Sequence, residues 1–192
     1  MISTWTLMRH LSLRFLAALA CFGIFSPSRT SAATKLDQHE KQNFTGAWVL
    51  DLQASTSLDP LMIQIGASFL ERKYAAHTKL KATLQQTADL LTIAARGPGF
   101  ALNQTLYLDG RNDPSYLNIL GATSVNTKTV WSKDYKQLVE THHIRTKKGR
   151  DGELIIKRKL IDNGKAVAVV MILKLEEEPA TTTARQIWRK QA

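Results

Sequence analysis

Residues 153–175, ELIIKRKLIDNGKAVAVVMILKL, contain two apolar-rich runs separated by Asn163-Gly164. Successive strand side chains point to opposite faces. On the first run Leu154, Ile156, Arg158 and Leu160 therefore share one face. Lys157 and Lys159 share the other with Ile155 and Ile161. Asn-Gly between two runs of this kind is a hairpin signature.

The same grammar extends in both directions. Runs at 46–52, 79–86, 90–95, 101–108, 123–131, 136–146 and 182–189 alternate or are rich in Val, Ile, Thr and Trp. Asp109-Gly110 and Asp151-Gly152 read as further turns. A meander of this length closes or splits. The expectation is an all-β fold, an antiparallel up-and-down β-barrel of about 9–10 strands. One stretch, 59–76, departs from it. Asp59-Pro60 suits a helix start, and Leu61, Ile65 and Phe69, flanked by Met62 and Leu70, repeat every four residues. This predicts about four helical turns, or a helix pair broken at Gly66, directly after the first strand. Residues 111–120, with Pro114, read as a loop.

The chain has 192 residues, 44% of them hydrophobic, and a net charge of +10. That length supports one good core. Residues 1–33 carry Arg9, Arg14 and Arg29, no acid, and the apolar run FLAALACFGIF at 15–25. Ser31-Ala32-Ala33 ends the segment in small residues. A basic start, short apolar run and small-residue end make a secretory signal peptide; an uncleaved anchor is the alternative, and Cys21 as a lipid attachment point a third. The expected organisation is a signal peptide at 1–33, a flexible arm at 34–43 and a barrel at 44–192, with the product secreted or periplasmic. Cys21 is the only cysteine, so disulfides and thiolate chemistry are excluded beyond residue 33.

Four patches together resemble the calycin superfamily, closest to its fatty-acid-binding type and to secreted bacterial lipocalin-like domains. Phe44-Thr45-Gly46-Ala47-Trp48 is similar to the family's first strand, and 61–72 to its helical lid. Residues 156–165 are similar to a strand and turn bearing a cavity arginine, and 185–190 to the closing strand. The resemblance implies a short helical lid over the barrel mouth, carried by Met62, Ile65 and Phe69. It also implies a ligand cavity with Arg158, Gln186, Trp188 or Arg185 near the polar head. Trp48 is expected to plug the closed end under an arginine of the last strand.

The residues leave alternatives open. Arg158, sharing the apolar face, is either a ligand anchor, the partner of an internal acid such as Glu140, or solvated if the faces are reversed. Gln186 and Trp188 share one face of the last strand and Arg185 the other, and the sequence does not fix which is inside. No cofactor or metal site is expected. His142 and His143 are adjacent on a strand and point apart, and no Gly-x-Ser-x-Gly or phosphate loop occurs. Glu140 and His142 share a face and form the one candidate acid/base pair. Residues 128–165 hold eleven Lys or Arg and five acids, with Lys147, Lys148 and Arg150 at a hairpin tip. This pattern suits attraction to an anionic membrane surface or lipopolysaccharide, and an ordinary solvated face is the alternative; aromatics interleaved for nucleic acid are absent.

The expected function is therefore non-enzymatic: a monomeric, secreted carrier of a fatty acid or similar amphiphile. The alternatives are a protein-binding or inhibitor module on a solidly packed barrel, and a small cavity enzyme.

Overall fold

A computed structural model describes residues 41–114 and 117–191. The signal peptide and most of the expected arm lie outside the described residues. The last arm residues, 41–43, lie against the barrel: the Gln42 side-chain oxygen accepts from Leu160 N at 2.7 Å, and Gln86 Nε2 donates to Gln42 O at 2.9 Å.

The strands are β1 (Gly46–Asp51), β2 (Lys81–Gln86), β3 (Leu90–Gly97), β4 (Phe100–Tyr107), β5 (Asn112–Asp113), β6 (Leu117–Ile119), β7 (Ala122–Trp131), β8 (Leu138–Arg145), β9 (Asp151–Ile161), β10 (Ala166–Leu175) and β11 (Thr182–Lys190). All pair antiparallel in one sheet, in the order β4-β3-β2-β1-β11-β10-β9-β8-β7-β5, with β6 also on β7. The sheet curls into a nearly closed barrel, with β4 and β7 flanking the seam. Nine long strands match the expected count. The two short strands β5 and β6 occupy the stretch expected to be a loop.

Two turns differ from expectation. Ile161 pairs with Ala166, so the β9–β10 turn takes four residues. Asp162, Asn163 and Gly164 are all left-handed there, at φ 51°, 53° and 80°, a conformation that Asp, Asn and Gly tolerate best. Asp151-Gly152 is no turn: it opens β9, and the chain reverses one turn earlier, at 146–150, with Gly149 at φ 77°.

Between β1 and β2 lie α1 (Asp59–Ile65) and α2 (Phe69–His77). The continuous helix is interrupted as the Gly66 reading allowed. Gly66 caps α1 in the left-handed region at φ 89°. Ser68 and Glu71 then form a reciprocal capping box that starts α2. The i, i+4, i+8 stripe consequently fails at its third member: Leu61, Met62 and Ile65 are buried, whereas Phe69 is 60% exposed. Asp59 sits in the first turn of α1, and Arg72 Nε donates to its carboxylate at 2.8 Å.

The interior has two textures. Leu84, Leu91, Ile93, Leu154, Val167 and Met171 belong to a continuous apolar core. On β7 and β8 the inward positions are mostly polar: Ser124, Thr127, Thr129, Glu140 and His142 are all buried.

Candidate ligand cavity

A cavity of about 750 Å³ occupies the barrel beneath the helices. The barrel is therefore not packed solid. Its walls are mostly apolar: Leu84 and Ile93 come from β2 and β3, Ile156 from β9, and Val169 and Met171 from β10. Met62, Leu70 and Tyr74 of the helices form the roof, and Phe100, Leu102 and Ile119 reach it from the seam side. Such a space matches the size and polarity of sites for small hydrophobic ligands.

Sheet register brings the polar residues together. Val169 pairs with Arg158 on one side and Gln186 on the other. The three form one rung, and all face the cavity. The next rung on that face is Leu160, Val167 and Trp188, and Trp188 in turn pairs with Leu50. Gln186 and Trp188 are thus the inward pair. Arg185 is exposed on the outer face, where its N–H donates to Thr56 Oγ1 at 2.7 Å and its carbonyl accepts from Thr56 N at 2.8 Å. The register with Arg185 inside does not occur, because the pairing of Gln186 with Val169 aims the even-numbered residues inward.

Arg158 points inward, as the alternation of its strand predicts, and the solvated alternative falls. Burial pushes its guanidinium down to about 10, so it stays charged at neutral pH. It does not stand alone. Arg158 Nη1 pairs with Glu140 Oε1 on β8, the internal partner foreseen as an alternative to ligand anchoring. Glu140 Oε2 lies 3.3 Å from His142 Nε2, and His142 Nδ1 lies 2.9 Å from Thr127 Oγ1. Burial holds the His142 imidazole down at about 4 and therefore neutral. Glu140, though adjacent, does not reverse this, because Arg158 already balances its charge. Glu140 and His142 are fully buried in the wall and do not line the cavity, so this pair has no access to a cavity substrate.

Trp48 is structural, as expected, and also contributes to the cavity wall. It is 1% exposed, and its indole N–H donates to Phe44 O at 3.0 Å. The cation over its ring is Lys190, at 5.6 Å, and not the expected arginine.

Of the lid residues, Met62 lines the roof and Ile65 is buried in the core, while Phe69 faces solvent. The sequence reading missed Leu70, Tyr74 and Glu71 at the mouth. The Ser68-x-x-Glu71 spacing was the available signal, since a capping box restarts the helix and rotates its faces. The hairpin tip at 146–150 is tied to these helices. Lys147 N donates to Ile65 O at 3.0 Å and Lys147 Nζ to Glu71 at 2.6 Å, while Arg150 Nη2 donates to Gln64 O at 2.6 Å.

No family model matches the chain, and no curated protein matches it in sequence. Solved structures do match in fold. A REP1-NXSQ fatty acid transporter aligns with TM-score 0.57 at 17% identity, covering 77% of this chain and 96% of its own. A Schistosoma mansoni fatty acid binding protein in complex with arachidonic acid aligns with TM-score 0.58 at 16% identity, covering 78% and 96%. Human cRBP IV aligns with TM-score 0.55 at 15% identity, covering 78% and 99%. The chain has the calycin fold, in the form shared by fatty-acid-binding proteins.

Proposed function

We propose that this protein is a non-enzymatic carrier of a single-chain hydrophobic or amphiphilic lipid, of the size of a fatty acid or a close derivative. The observation that carries the reading is the mostly apolar cavity of about 750 Å³ under a helical roof, with Arg158 and Gln186 side by side on one rung of its wall. Apolar burial would supply most of the affinity, at roughly 25 cal/mol per Å², and Arg158 and Gln186 would orient the head. Fold neighbours that carry fatty acids support the same class. The carrier is proposed to act as a monomer. Residues 1–33 would direct export, giving a secreted or periplasmic carrier.

The carrier is further proposed to collect or deliver its ligand at an anionic membrane. Phe69 and Leu70 are 60% and 77% exposed at the start of α2, with Lys73 Nζ 5.4 Å from the Phe69 ring. Apolar side chains edged by cations suit the bilayer interface. The basic hairpin contributes less than its sequence promised, because Lys147 and Arg150 are already paired with Glu71 and Glu178.

The test is native mass spectrometry of the purified protein followed by organic extraction. A bound lipid of a few hundred daltons is the expected result. An empty protein that also takes up no added long-chain lipid overturns the carrier reading and favours a protein-binding scaffold.

A further inference from the structure

The polar end of the cavity is charge-balanced before any ligand arrives. Arg158 pairs across the ladder with Leu138, and Glu140 with Ile156. Glu140 is therefore the diagonal neighbour of Arg158 on the same face, within reach of a long side chain. It is fully buried and ion-paired with Arg158. Its second oxygen faces His142 Nε2, and the other ring nitrogen faces the Thr127 hydroxyl. With the proton on Nε2, the neutral imidazole donates to Glu140 and accepts from Thr127. The anion is thus built in and supported on both oxygens.

The rest of the lining adds no free positive charge. Glu71 is the other charged residue lining the cavity, at the mouth, and it is paired with Lys147. Gln186 brings a donor and an acceptor without charge, and its side-chain amide has no hydrogen-bond partner among the described residues. A carboxylate entering this site would lose its water, meet a cation already neutralised, and sit within Coulomb reach of Glu140. A hydroxyl or ester head avoids that repulsion and can bond the Gln186 amide and the spare Arg158 N–H groups.

We propose that the cavity selects single-chain amphiphiles with an uncharged head, such as a long-chain alcohol or a glycerol ester, and that Glu140 is the specificity-determining residue that excludes carboxylates. This rests on the lipid-carrier reading.

The test compares hexadecanol with palmitate, which share a chain length, by quenching of tryptophan fluorescence at neutral pH. The expected result is binding of hexadecanol about tenfold or more tighter than palmitate. In Glu140→Gln the guanidinium loses its counter-ion, and the order is expected to reverse. That variant leaves a buried charge unpaired and can fail to fold, so two further measurements stand beside it. The double variant Glu140→Gln with Arg158→Met keeps the site neutral and is expected to retain the preference for hexadecanol. In the unaltered protein, the carboxyl-carbon NMR shift of labelled palmitate is expected to report a protonated acid when bound. Palmitate held as a carboxylate, as tightly as hexadecanol or tighter, overturns the inference and leaves the carrier reading standing. Binding of neither lipid overturns the carrier reading itself.

Discussion

Lys147, at the tip of the β8–β9 hairpin, and Glu71, on α2, are joined by an ion pair of 2.6 Å across the mouth of the barrel. The Lys147 ammonium, with the Ser68 N–H and hydroxyl, pulls the Glu71 carboxyl down to about 2. The two residues are 76 positions apart in sequence. Their contact ties the second lid helix to the opposite wall.

Removing this latch should change ligand exchange more than stability, since exposed ion pairs contribute little to folding. Lys147→Ala should speed release of a bound fluorescent lipid several-fold with a nearly unchanged unfolding midpoint. Glu71→Ala should do the same while also loosening the start of α2, because it removes the capping box. Stopped-flow transfer to acceptor vesicles measures this. The latch is fully present above about pH 4.5 and is lost as pH falls through about 2, because the folded-state value of Glu71 is depressed. Release rates equal to those of the unaltered protein would exclude a gating role.

His142 should make the fold acid-sensitive well above that range. The unfolded chain protonates this imidazole near 6.5, while the native wall, with Glu140 and Arg158 beside it, holds out to about 4. Its contribution to stability is complete above 6.5, falls between 6.5 and 4, and is flat below. The loss over that window is on the order of 3 kcal/mol. Urea unfolding at a series of pH values should show this slope, and His142→Gln should flatten it.

Two cavity-lining tryptophans, Trp48 and Trp188, should separate structure from binding. Trp48 is fully enclosed and hydrogen-bonded to Phe44, so Trp48→Ala should cost about 3–5 kcal/mol. Trp188 is only partly buried and lines the cavity beside Gln186. Trp188→Ala should weaken lipid binding with a smaller loss of stability. Calorimetry and lipid titration on the same samples give both numbers, and equal stability losses would contradict the division.

Phe69 provides the check on membrane docking. Sedimentation with vesicles containing anionic lipid should recover the unaltered protein at low salt and less of it at high salt, since such attraction is screened. Phe69→Ser should abolish much of the recovery without altering cavity affinity, since Phe69, unlike Leu70, does not line the cavity. Recovery equal to that of the unaltered protein would remove this side chain from the proposed contact.

What the sequence determined alone was local and periodic. Alternation on 153–161 aimed Arg158 with Leu154 and Ile156, and that direction holds, because strand faces follow from a repeat of two. Turn residues and β-branched runs marked nine long strands, and strands in that number close on themselves. Tertiary structure decided whatever depended on partners distant in the chain. Gln186, and not Arg185, faces inward because β11 pairs with β10 in one register, and a shift of one residue would have exchanged them. The helix stripe ended at Ile65 because Gly66 turned left-handed and a capping box began a new helix. The charge balance around Arg158 was settled by Glu140, 18 residues before it in sequence and diagonal to it in space. One strand can show which way an arginine points; only its neighbouring strand can show whether that arginine is already neutralised.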